Sequence, residues 1–290
     1  MRSWLPAGAA ALLCALAVSA QMEGPPRSLL VTSVKTGEPL TAAELEIRIG
    51  NKPAEILRVY QAEERPVRLA VLVDDSASSV FVQSLPALRQ FLNELPEGSS
   101  VLVAYLQSGG RLKVEQAFTS DVGAAAAGLR LPAGTGGPGD LGLLVSETLT
   151  LFPNGTEERS EILYIGEGTA PSGGLYDDFR LNRAIREAQE RGVVLWAIHV
   201  ASSRELSPEP PGIAEGHSLL ESYLERLARE TGGRAFALTL HPPNLQPYLM
   251  ELQGLLGRQY LVEFIPPPKA KGKLEVRVRG ERRQVLHADR

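Results

Sequence analysis

Cysteine is almost absent from this chain: Cys14 is the only one in 290 residues, and it falls within an N-terminal stretch that reads as a leader. Arg2 supplies a positive start, Ala9 to Val18 an apolar run, and Val18-Ser19-Ala20 a small-residue cleavage site ahead of Gln21. The expectation is a signal peptide over residues 1–20, cleaved after Ala20, and a secreted or periplasmic bacterial protein. Leu12-Leu13 precede Cys14 where a lipoprotein signal wants small residues, which argues against lipid attachment. A chain starting at Gln21 has no disulfide, no thiol nucleophile and no cysteine metal ligand. The leader's apolar run is short for a membrane span, and no second span follows it.

Other scarcities narrow the function. There are 30 Lys and Arg against 34 Asp and Glu, a net charge of −4, so nothing favours nucleic acid or an anionic membrane surface as partner. Only four histidines occur: His199 in an apolar strand, and His217, His241 and His287 in loops or tails, no two at zinc-ligand spacing. The G-x-S-x-G elbow of hydrolases is missing. The glycine-rich loop Gly134-Thr135-Gly136-Gly137-Pro138-Gly139 lacks the Lys-Ser/Thr of a phosphate-binding loop. An enzyme is not expected. A receiver domain needs a phospho-accepting Asp after its third strand and a Lys after its fifth. Asp121 is poorly placed for the first, and the strand ending at Val200 carries no Lys.

What is present is alternation. From Arg68 onward, short apolar strands (69–73, 100–106, 161–165, 193–200, 234–240) alternate with amphipathic stretches (85–95, 122–129, up to Leu151, 178–191, 218–231, 243–256), with a more exposed strand at 112–118. This predicts a doubly wound, mainly parallel α/β sheet with helices on both faces. Strands at 29–32, 44–49 and 56–59 precede it, separated by turns at 36–39 and 50–53, and strands at 259–265 and 273–279 follow. Each flanking set is too small to fold alone, so the two are expected to pair as one β-rich accessory unit. The expected layout is a β-rich segment over 27–62, the α/β domain over 63–257, and C-terminal strands over 258–290. The acid-rich run Glu157-Glu158-Arg159-Ser160-Glu161 reads as a solvated loop and cap.

The chemistry concentrates after the first α/β strand. Leu69-Ala70-Val71-Leu72-Val73 stops at Asp74, and Asp74, Ser76 and Ser78 form D-x-S-x-S. A buried strand of this kind delivers polar side chains to the sheet's carboxyl edge, where open α/β sheets bind ligands. One carboxylate and two hydroxyls at alternate positions offer only oxygen, the donor set that Mg²⁺ prefers. A Ser-capped helix is the plainer reading of the same residues. Thr135 stands in the glycine-rich loop ahead of a helix, and Glu167 ends a buried strand before Gly168. Asp75 and Asp140 stand nearby as spare carboxylates, their plainer roles being loop acids or helix caps.

With these residues the chain resembles a von Willebrand factor type A domain. In that family D-x-S-x-S, a later Thr and a later Asp before Gly form the metal-ion-dependent adhesion site, or MIDAS. Asp74, Ser76, Ser78 and Thr135 match by type and order, while Glu167 stands where the family usually has Asp. The stretches LLVTSVKTGEPLTAAELEIRIGNKPAEILRVY, LERLARETGGRAFAL and GRQYLVEFIPP followed by KLEVRVRG resemble the secreted bacterial group known as VWFA-related Acidobacteria-type proteins. The resemblance implies a protein-binding adhesion module. In it Asp74, Ser76, Ser78, Thr135 and Glu167 hold Mg²⁺, or Mn²⁺ or Ca²⁺, and an acidic side chain of a protein partner completes the coordination. The alternative is a structural scaffold of a secreted or envelope complex that uses the fold and not the metal.

Overall fold

The structure, a computed structural model, describes residues 25–63, 65–75, 78–107, 111–134, 140–153, 159–166, 178–200, 213–238, 244–279 and 284–289. Of residues 78–82, 213–220 and 238 it describes the backbone alone. In chain order the elements are β1 (Arg27–Ser33), β2 (Leu45–Ile49), β3 (Lys52–Pro53), β4 (Glu55–Gln61), β5 (Val67–Asp74), α1 (Ser78–Asn93), β6 (Ser100–Gln107), β7 (Arg111–Thr119), α2 (Val122–Gly128) and α3 (Leu141–Leu151). They continue as β8 (Arg159–Gly166), α4 (Asp178–Arg191), β9 (Val193–Val200), α5 (Ile213–Thr231), β10 (Ala235–Leu238), α6 (Gln246–Leu256), β11 (Gln259–Ile265), β12 (Leu274–Val278) and β13 (Val285–His287). Helix α1 begins at Ser78, ahead of the apolar stretch 85–95, where the Ser-capped reading puts a helix start, and it carries Pro86 within it.

Six strands form the central sheet in the order β10-β9-β8-β5-β6-β7, parallel throughout except for β7, which runs against β6. The expected α/β class is therefore the observed one. Strands β5, β8 and β9 are apolar along most of their length because both faces are covered. The alternation of side chains decides which helix each residue meets. Leu69, Val71 and Val73 pack with Leu88, Phe91, Ala125, Leu249 and Leu252 of α1, α2 and α6. Ala70 and Leu72 pack with Leu144, Leu181, Ile185 and Leu227 of α3, α4 and α5 on the other face.

The terminal segments meet as expected, but in two layers. Strand β11 lies between β1 and β4, antiparallel to both, and β13 adds to the outer side of β1. A second sheet has the order β12-β2-β3, so the segment read as a turn at Lys52-Pro53 also contributes a short strand. Leu29, Val31, Leu45, Ile47, Val262 and Leu274 share one apolar cluster between the sheets. Neither terminal set could bury these residues alone.

The run Glu157 to Glu161 is not a solvated loop in its described part. Arg159 and Glu161 are 6% and 0% exposed and belong to β8. Arg159 Nη1 donates to Leu256 O at 2.8 Å and to Gln259 Oε1 at 2.6 Å, and its Nη2 donates to Arg65 O at 2.8 Å. The Trp196 indole N–H donates to Glu161 Oε2. The charges are buried because β11 and the turn before β5 close over the start of β8. Among the described residues, no helix is long and apolar enough to cross a membrane.

Candidate functional site

Asp74 closes β5 at the sheet's carboxyl edge and is 1% exposed. Strand β5 lies between β6 and β8, and the chain continues from it into α1 on one face, while α3 and α4 flank β8 on the other. The ends of β5 and β8 thus border the place where the winding reverses, which is where open α/β sheets bind ligands. Gly166 ends β8 there. A Cβ at Gly166 would stand 2.7 Å from Asp74 Cβ and 2.5 Å from the Tyr164 hydroxyl oxygen, so the close approach requires glycine.

Asp75 prolongs the edge, its N–H donating to Leu106 O at 3.1 Å. Its carboxylate is 0% exposed and is gripped by Arg130, with Nη1 on Oδ1 at 2.7 Å and Nη2 on Oδ2 at 3.2 Å. The Ala133 N–H adds a bond to Oδ1 at 2.8 Å, and the Gly134 N–H donates to Asp75 O at 2.9 Å. Asp75 is therefore committed to its own chain and is not a spare ligand. Asp140 likewise serves locally, accepting from Leu143 N–H at 3.0 Å as the cap of α3 and pairing with Arg180 at 3.0 Å.

Arg130 is fixed from several sides. The Tyr105 hydroxyl donates to Arg130 O at 2.6 Å and accepts from Arg130 N–H at 2.8 Å. The guanidinium lies 3.9 Å from the Tyr105 ring centre, and its Nε donates to Glu115 at 2.9 Å, which Lys113 also contacts at 2.8 Å. Lys113, then Arg130, hold the Glu115 carboxyl below the usual range, while burial pushes the Tyr105 phenol up. The bond to Asp75 raises the Arg130 guanidinium further above its ordinary value.

Of the sequence-predicted ligands, the structure places Asp74 in full and the backbone of Ser78 at the start of α1. Ser76, Thr135, Glu167 and the Ser78 side chain lie outside what is described. Their attachment points are nonetheless brought together: Gly134, the residue before Thr135, is bonded to Asp75, and Gly166, the residue before Glu167, lies against Asp74. An oxygen donor set built on one carboxylate fits this edge. Among the described residues, no three His, Cys, Asp or Glu side chains gather into a metal-holding group. His199 is buried at the end of β9, and the His287 ring accepts from Val276 N–H at 3.4 Å. Sequence reading passed over Arg130, Glu115 and Tyr105. The one available signal was an arginine just ahead of the glycine-rich loop.

These features define a doubly wound α/β domain with a buried carboxylate at the reversal point of its sheet. The strand order, the antiparallel edge strand and the buried Asp74 at that point set the class: an α/β sheet domain carried with a small antiparallel unit from the chain termini. No protein-family model and no curated protein matches the chain. Among solved structures, it is similar to the conserved hypothetical protein BatB from Bacteroides thetaiotaomicron, at 15% identity over 66% of this chain and 97% of that one, TM-score 0.49. A von Willebrand factor type A protein from Catenulispora acidiphila is similar at 11% identity over 93% and 74%, TM-score 0.46. Proximal thread matrix protein 1 from the mussel byssus, with a zinc-occupied MIDAS motif, is similar at 15% identity over 67% and 47%, TM-score 0.44.

Proposed function

We propose that the chain is a secreted, non-enzymatic adhesion or protein-binding module that engages its partner through a divalent cation at the carboxyl edge of the sheet. Asp74, Ser76, Ser78 and Thr135 hold the ion, Mg²⁺, Mn²⁺ or Ca²⁺, and Glu167 contributes directly or through water. The ion supplies an open coordination position for a carboxylate of the partner protein. The observation that carries this reading is the burial of Asp74 at the end of β5, against Gly166 and next to Asp75, whose carbonyl holds Gly134. A carboxylate at the sheet's carboxyl edge, in a motif whose other ligand positions are hydroxyls, offers the oxygen donors that suit a hard cation.

The test is thermal melting with EDTA, Mg²⁺ or Mn²⁺, alongside pull-down from envelope extracts with and without EDTA. Binding the folded state alone raises the melting temperature by mass action. Asp74→Ala removes that response and leaves the fold intact. Glu167→Asp resolves the departure from the family pattern. Tighter binding identifies the glutamate as a compromised aspartate, and looser binding identifies it as a direct ligand whose extra reach is used. Partner capture indifferent to EDTA, with no metal-dependent melting shift, establishes the metal-independent scaffold instead. N-terminal sequencing of exported protein is expected to begin at Gln21.

A further inference from the structure

We propose that Asp75 and Arg130 act together as a positioning pair for the cation site, setting its affinity without either side chain touching the ion. The inference rests on the cation reading above and concerns residues outside the ligand set. Asp75 is the neighbour of Asp74 in the chain, yet its two carboxylate oxygens are occupied by the Arg130 fork and by the Ala133 N–H. Its carbonyl takes the Gly134 N–H. All four bonds join Asp75, just past the end of β5, to the segment 130–134, and the last of them fastens that segment one position before Thr135. The other end of the segment is held by the Tyr105 hydroxyl, which bonds both backbone groups of Arg130.

The arrangement is more than a surface ion pair. Asp75 is wholly buried, the pairing is bidentate, and Glu115 and the Tyr105 ring hold the guanidinium in the same place. A segment that leads into a ligand residue and is not held in place has to be ordered each time an ion binds, and that ordering costs affinity. With its entry already clamped to β5, the loop meets the ion from a fixed start. This is the part played by outer-shell partners in metal sites generally, whose loss weakens binding about 10- to 100-fold.

Two variants separate positioning from plain stability. Arg130→Met keeps an apolar stem over the Tyr105 ring but leaves Asp75 buried with its charge unpaired, so it loses stability and Mn²⁺ affinity together. Asp75→Asn/Arg130→Met removes both charges, so no buried carboxylate is left without its cation, while Glu115 keeps Lys113. Calorimetric titration of the whole protein with Mn²⁺ alone, and hydrogen exchange at Ala133 and Gly134 without metal, are the readouts. The double variant is expected to recover most of the melting temperature, to bind Mn²⁺ at least about tenfold more weakly than wild type, and to exchange faster at both amides. Wild-type affinity within twofold in a folded double variant overturns the positioning role and leaves the cation reading standing. Absence of Mn²⁺ binding in the wild-type protein overturns both.

Discussion

Gly166 and Asp74 come so close at the ends of β8 and β5 that a methyl group on Gly166 would lie 2.7 Å from Asp74 Cβ. The contact fixes the spacing of the two strands where the ligand edge begins. It also has the Tyr164 hydroxyl on the same side, 2.5 Å from that methyl. Gly166→Ala is expected to force strands or side chains apart, at about 1–3 kcal/mol of stability. It should also weaken Mn²⁺ binding, because Asp74 must yield. Denaturant unfolding and metal titration of the variant check both effects, and an unchanged unfolding midpoint would show that the edge relaxes freely.

Asp74→Ala bears on the ion more directly. The hydroxyls of the motif carry no charge, so the only carboxylate at a ligand position of D-x-S-x-S dominates the attraction for a divalent cation. Millimolar Mg²⁺ or Mn²⁺ is expected to raise the wild-type melting temperature and to leave that of Asp74→Ala unchanged. Ser76→Ala and Ser78→Ala should each reduce the shift without abolishing it. An equal shift in wild type and Asp74→Ala would place the ion elsewhere.

Glu161 links stability to pH. Burial pushes its carboxyl above the ordinary value of 4.5, against smaller opposing effects of Arg159 and the Trp196 N–H. Across the interval between the unfolded and the folded pKa, the folded protein holds more protons than the unfolded chain. Stability therefore falls as pH rises from about 4.5 through the folded value, by at most about 1.4 kcal/mol per pH unit. Glu161→Gln has no such proton to lose, so its stability relative to wild type should rise with pH over that window. Urea midpoints of the two proteins measured between pH 4.5 and 8 decide it. Parallel pH profiles would mean that Glu161 ionises normally.

Arg159 ties the start of β8 to Gln259 in β11 and to the Leu256 and Arg65 carbonyls. Among the described residues its Nε and the Glu161 Oε1 have no hydrogen-bond partner, so this group is already short of donors and acceptors. Arg159→Met removes these three bonds from buried partners and is expected to cost on the order of 3 kcal/mol. Hydrogen exchange should accelerate first in β11. Loss spread evenly over the central sheet would argue against a local tie.

Truncation examines the terminal strands. Strand β11 supplies the ladder for both β1 and β4, and β12 supplies that for β2. Deleting residues 258–290 strips three N-terminal strands of their main partners and uncovers Leu29, Val31 and Ile47. Their amide protection should collapse while β5 and β8 retain theirs. Unchanged protection in β1 and β4 would contradict the observed pairing.

The alternation of apolar strands with amphipathic helices was legible in the chain because each strand's neighbours along the sequence also cover it in space. Leu69, Val71 and Val73 against Ala70 and Leu72 already specify two buried faces through the period of two. D-x-S-x-S was visible for a similar reason, since it spans only five consecutive positions. The pairing of the terminal strands followed from their inability to bury an apolar face alone. What only the tertiary structure decided depends on residues far apart in sequence. Asp75 meets Arg130 across 55 positions, and Arg159 meets Gln259 across 100. Local pattern makes Arg159 and Glu161 look solvated, and makes Asp75 look like a spare ligand. Both readings fail because a charge is buried or exposed according to what covers it, and the covering elements here come from other parts of the chain.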